Sequence, residues 1–83
     1  MKPSSAATEA SLRTALADYQ LAARATATAA EAYLGALGTA GEAHALKALR
    51  FAQGEEGAAD VALDDVIRVR HTALAHAHLG GDR

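Results

Sequence analysis

The sequence predicts an all-α fold: a small three-helix domain in which one long N-terminal helix is followed by a helical hairpin. Three observations carry that expectation. Leu12, Leu16, Tyr19, Ala23, Thr26, Ala30, Tyr33 and Leu37 recur at alternating spacings of four and three residues, the period of a helix covered along its whole length. Glycines gather at Gly35-Gly38-Gly41, at Gly54-Gly57 and at Gly80-Gly81, where they read as helix ends and turns. No stretch alternates apolar and polar residues as a strand would.

The first helix is expected over residues 5–37, after a disordered lead at 1–4. Pro3 with Ser4 or Ser5 supplies a stop and an N-cap, and Glu9 places negative charge in the early turns, where the helix dipole favours it. Glu9 and Arg13 stand in the favourable i,i+4 order. Charge is sparse afterwards, with Asp18, Arg24 and Glu31 spread along the rest. A second row of small residues, Ala15, Ala22, Ala29 and Ala36, runs beside the main seam at heptad spacing, so another helix can approach closely on a broad face. Gly38 fits the C-cap role.

Thr39-Ala-Gly-Glu42 has capping-box spacing and opens a second helix, expected over 40–53. Ala45, Leu46, Leu49 and Ala52 form its apolar side, and Phe51 lies beside them. Gly54-Glu-Glu-Gly57 reads as a tight turn. A third helix follows over 58–79, within a single helical domain at 5–80, with 81–83 as a tail. Asp60, Asp64 and Asp65 come early in it, and Arg68, Arg70, His71, His76 and His78 late, an order that matches the dipole without invoking a site.

Composition points to association. Of the 42 hydrophobic residues 24 are Ala, which supports a helix but buries little area. A chain of 83 residues with only 18 larger apolar side chains has a core whose burial barely offsets its chain entropy, and such chains gain burial by oligomerising. The net charge of −2 with both signs interspersed provides no field for DNA or for an anionic membrane surface. No Cys is present, which excludes disulfides, thiolate nucleophiles and Cys-based zinc sites. The N-terminal Met-Lys-Pro-Ser-Ser lacks the apolar run of a signal peptide. No stretch of 18 apolar residues spans a bilayer, so a cytoplasmic setting is expected.

Three constellations carry chemistry. On the third helix Leu63, Val66, Ile67, Leu74 and Ala77 share a face on which Arg70 also lies. A guanidinium there must pair, reach out past the core edge or sit at a subunit contact. Asp18 and Glu31 on the first helix are the candidate partners. The four His residues invite a metal, but His76 and His78 point about 200° apart and His71 and His78 stand about 10 Å apart along the axis. A zinc site would need His44 or another subunit. Asp64, Arg68, His71 and His78 read more simply as a solvated polar stripe.

The segment Arg70-His-Thr-Ala-Leu-Ala-His76 resembles the Arg-x4–6-His helix-terminal motif of the HEPN family of helical ribonucleases and antitoxins. The resemblance covers seven residues. It implies Arg70 and His76 brought together with their dimer mates to position and cleave a phosphodiester. A helix-turn-helix reading fails, because the would-be recognition helix opens on Glu55, Glu56, Asp60, Asp64 and Asp65, which repel phosphates.

The expectation is therefore a self-associating interaction or structural subunit of a larger assembly, with another copy or another helical protein as partner and no cofactor or metal. Leu12, Leu16, Tyr19, Ala23, Thr26, Ala30, Tyr33, Leu37 and Arg70 are its expected contact residues. The alternatives are a HEPN-like ribonuclease or antitoxin using Arg70 and His76, and a His-dependent metal binder.

Overall fold

The chain reverses direction at Gly38. Its φ of +78° is the only left-handed backbone conformation among the described residues, and it is accessible to glycine without steric penalty. The computed structural model describes residues 5–81, with side chains for 8–76. Before Gly38 runs α1, Ser5–Ala36, and after it α2, Glu42–Gly81. The lead at 1–4 lies outside the described residues, and of the tail only Gly81 lies within them, as the last residue of α2.

The connection is fixed by its own polar groups. Glu42 accepts the Gly38 N–H at 2.8 Å. The Thr39 hydroxyl donates to the Ala36 carbonyl at 2.6 Å and accepts the Gly41 N–H at 3.2 Å. These bonds satisfy groups that the two helix ends leave without intrahelical partners. The expected capping box is shifted. Because α2 begins at Glu42 rather than near Ala40, Glu42 reaches across to Gly38 instead of back to Thr39.

The all-α expectation holds, and the three-helix count does not. Gly54-Glu-Glu-Gly57 is not a turn: α2 runs through it as one helix of 40 residues. The physical reason lies in the face that α2 presents to α1. Ala45, Leu49, Ala52, Glu56, Ala59, Leu63, Val66, Arg70 and Ala73 are all at least half-buried and recur at spacings of four and three without a break. A glycine in a helix interior costs about 1 kcal/mol. A turn at 54–57 would instead throw everything after it out of phase with α1.

Two hydrogen bonds set how the antiparallel helices match. The Thr26 hydroxyl reaches the Ala52 carbonyl at 3.2 Å, and Arg70 Nη1 donates to Thr8 Oγ1 at 3.4 Å. Both fit one register, in which Leu12 stands level with Val66, Ala15 with Leu63, Tyr19 with Ala59, Ala22 with Glu56, Ala29 with Leu49 and Tyr33 with Ala45. At nearly every level a larger side chain meets a smaller one, which lets two heptad seams mesh closely.

The result is a rod. It measures 67 × 15 × 14 Å between Cα positions, with a radius of gyration of 18.9 Å, where a globular chain of this length would have about 12 Å. Ala52 alone among the described residues is classed as buried, at 9% exposure. The ion pairs Glu9–Arg13 (3.9 Å) and Asp65–Arg68 (3.1 Å) are exposed i,i+4 and i,i+3 contacts, worth little to the fold.

Candidate functional site

The expected contact residues of α1 divide into two sets. Leu12, Tyr19, Thr26 and Tyr33 are half-buried along the seam with α2. Thr26 is the one whose contact is polar. Its hydroxyl hydrogen is shared between the Ala22 carbonyl of its own helix at 3.1 Å and the Ala52 carbonyl across the seam. Leu16 and Leu37 are 43% and 48% exposed, while Ala23 and Ala30 are half-buried. These four follow Ala15, Ala36, Ala22 and Ala29 in the chain, and it is that alanine row, half-buried throughout, that completes the seam. The row noted as secondary in the sequence thus takes the inner position, and the Leu16–Leu37 row flanks it.

The alanines in the seam leave a groove on one side of the hairpin. It encloses about 690 Å³ and is lined by Ala15, Ala22, Ala59 and Ala62, with Asp18 and Glu55. Phe51 and Val69 stand on this side by helical spacing and are 73% and 62% exposed. A smaller hollow beside Thr8, Asp65 and Val69 encloses about 270 Å³.

On the opposite side stand Leu16, Ala23 and Ala30 from α1, and Leu37 just past its end, with Ile67 and Leu74 from α2. Leu34 is on its outer edge. Ile67, Leu74 and Leu34 are 40%, 47% and 65% exposed. The sequence signal for this face was present in Ile67 and Leu74, each of which follows a seam residue of α2. A turn at 54–57 breaks the seam of α2, so with that turn the seam row and the flanking row merge into the one face expected of a third helix.

Arg70 lies in the seam, half-buried, at the end of the hairpin where α1 begins. Its partner is the Thr8 hydroxyl. Asp18 and Glu31, the candidate carboxylate partners, are not on that level of α1 and form no ion pair with Arg70. His76 is exposed and stands about 120° around the helix and about 9 Å along it from Arg70, so within one chain the two do not converge. His44 and His71 are exposed, as are Asp64 and Arg68. His78 lies outside the described side chains. Among the described residues no three His, Asp or Glu side chains gather as a metal site would require, and no helix is long and apolar enough to cross a membrane.

No family model matches the chain, and no curated protein or solved structure is significantly similar to it. What the site can do rests on its own chemistry. It presents two elongated faces on a thin rod, one a groove floored by alanines that also carries Asp18 and Glu55, the other bearing Leu16, Ile67 and Leu74. That arrangement suits burial against another helical surface.

Proposed function

We propose that this chain is a self-associating helical hairpin, a small structural or interaction subunit that completes its core against a second copy of itself. The observation that supports this is a mismatch between surface and mass. The chain exposes 6217 Å² for 8.5 kDa, whereas a compact monomer of that mass exposes about 4,700 Å². The excess, about 1,500 Å² per copy, falls in the range that obligate homodimers bury. Among the described residues nine large apolar side chains are exposed, against the single alanine that is buried, so the apolar surface needed is already on the outside.

Sedimentation velocity with circular dichroism across a dilution series tests the reading. The expected result is a mass above that of one chain and a helical signal that falls as the complex dissociates, because a chain with so little core depends on its partner to stay folded. A chain that remains a single copy at every concentration, with an unchanging melting temperature, overturns it. Association only with a different helical protein would likewise overturn self-association.

A further inference from the structure

We infer that the second copy docks on the face carrying Leu16, Leu37, Ile67 and Leu74, making a four-helix bundle, and leaves the opposite groove open. This rests on the proposed self-association and adds which surface serves it.

The two sides of the hairpin can be told apart from the groove. Ser11, Asp18, Glu55 and Ala62 line it together, and each immediately precedes a seam residue: Leu12, Tyr19, Glu56 and Leu63. In an antiparallel pair the residues preceding the seam on both helices therefore share one side, and those following it share the other. On α1 the following row is Glu9, Leu16, Ala23 and Ala30, apolar after its first residue and continued by Leu37 just past the helix end. On α2 it is Leu46, Gln53, Asp60, Ile67 and Leu74. A helix whose apolar stripe covers two seam rows and one flanking row is patterned for a bundle rather than for a lone pair.

Apolar content and charge select the same face. Of the nine large exposed apolar side chains, Leu16, Leu34, Leu37, Ile67 and Leu74 belong to it, and the remaining four are divided between the groove side and the back of the rod. A contact between two copies about a twofold axis brings the same patch of each chain together. On the groove side that would bring Asp18 and Glu55 of both copies into one interface, four carboxylates with no cation on the groove lining. On the other face the flanking rows hold Glu9 and Asp60, and the outer edges add Arg13, Arg50 and Asp64, so cations stand beside carboxylates there, as they do not on the groove lining. The face is long enough as well. A ribbon of 67 × 15 Å offers on the order of 1,000 Å² per copy, which two copies double to the size of an obligate interface.

The chain has no Cys, so a single introduced thiol reports on its own position. The experiment measures alkylation rates of Ala23→Cys and Ala62→Cys across the dilution series, beside the association of Leu16→Glu and Phe51→Glu. Expected are protection of the Ala23 thiol that is lost on dilution, an Ala62 thiol that reacts at one rate throughout, association weakened more than about tenfold by Leu16→Glu, and no comparable loss in Phe51→Glu. Protection at Ala62, or a Phe51→Glu chain that dissociates while Leu16→Glu does not, overturns the assignment in favour of the groove. Neither of those results touches self-association itself, which fails separately if the unsubstituted chain never associates.

Discussion

The Thr26 hydroxyl of α1 donates to the Ala52 carbonyl of α2 at 3.2 Å. A side chain as short as threonine reaches the backbone of a neighbouring helix only where the two axes come close, and here the residues around the contact are Ala22, Ala23, Ala29 and Ala30 on one side and Ala52 and Ala59 on the other. The two helices are therefore in close contact at this level. This contact also fixes the register, since a one-residue slip would turn Ala52 away and bring Phe51 or Gln53 towards the seam.

That closeness predicts opposite sensitivities to size and polarity. Ala52→Leu places a larger side chain where no space exists and should destabilise by about 1–3 kcal/mol. Thr26→Val keeps the volume and removes one shared hydrogen bond, so it should cost about 1 kcal/mol. Thermal melts at matched chain concentration check both. An Ala52→Leu chain that melts with the unsubstituted one would mean the helices are not in contact there.

A second prediction concerns the glycines inside α2. A Cβ added at Gly54 or Gly57 meets nothing within 4 Å, and neither residue has a positive φ. Gly54→Ala and Gly57→Ala should each stabilise the chain by about 0.5–1 kcal/mol, through helix propensity and reduced freedom of the unfolded chain. A loss of stability from both would restore a turn at this position and with it a three-helix arrangement.

These same residues mark what the sequence could and could not reveal. The span of α1 was legible because neither Gly nor Pro interrupts it before Gly35, and the reversal at Gly38 because only glycine readily takes that backbone angle. At 54–57 local glycine chemistry speaks for a turn, while the opposing signal is long-range: Ala52, Glu56 and Ala59 keep the heptad phase across the two glycines. Two seams were available on α1, sharing Leu12, Tyr19, Thr26 and Tyr33, and the larger residues of the Leu16 row made that one look buried. The choice between them depends on what α2 presents. Leu49, Leu63 and the long Glu56 and Arg70 each need a small residue opposite, and Ala29, Ala15, Ala22 and Thr8 provide it. That pairing cannot be read until α2 is known to be continuous. Of the contact residues, those along the seam were accessible to periodicity, whereas the split between inner and outer rows required the partner helix.

Gly38 gives a third prediction, now of loss. At a φ of +78° any side chain is strained, and Gly38→Ala should destabilise by about 1–2 kcal/mol, although a Cβ there would have open space. Gly35→Ala, also in open space but within α1, should raise stability instead. Equal effects of the two, measured by denaturant titration, would contradict the helix end at Ala36.

Arg70 separates a structural from a catalytic role. It lies half-buried in the seam with its guanidinium donating to Thr8 at a long 3.4 Å, and no carboxylate bond to it is seen among the described residues. Truncation therefore strands no buried anion, and the several kcal/mol expected for a broken buried ion pair does not apply. Arg70→Met keeps the length of the stem along the α1 surface and should be nearly neutral. Arg70→Ala loses that packing and should cost about 1 kcal/mol. The same two variants address the resemblance to HEPN ribonucleases, in which Arg70 and His76 would act together on RNA. Melts run beside an RNA-cleavage assay are expected to show a small shift for Ala, almost none for Met, and no cleavage by any form of the chain. Cleavage by the unsubstituted chain that disappears in a folded, associated Arg70→Met would place Arg70 in a catalytic site formed between copies. That result would require the ends of two hairpins, rather than their flanks alone, to meet.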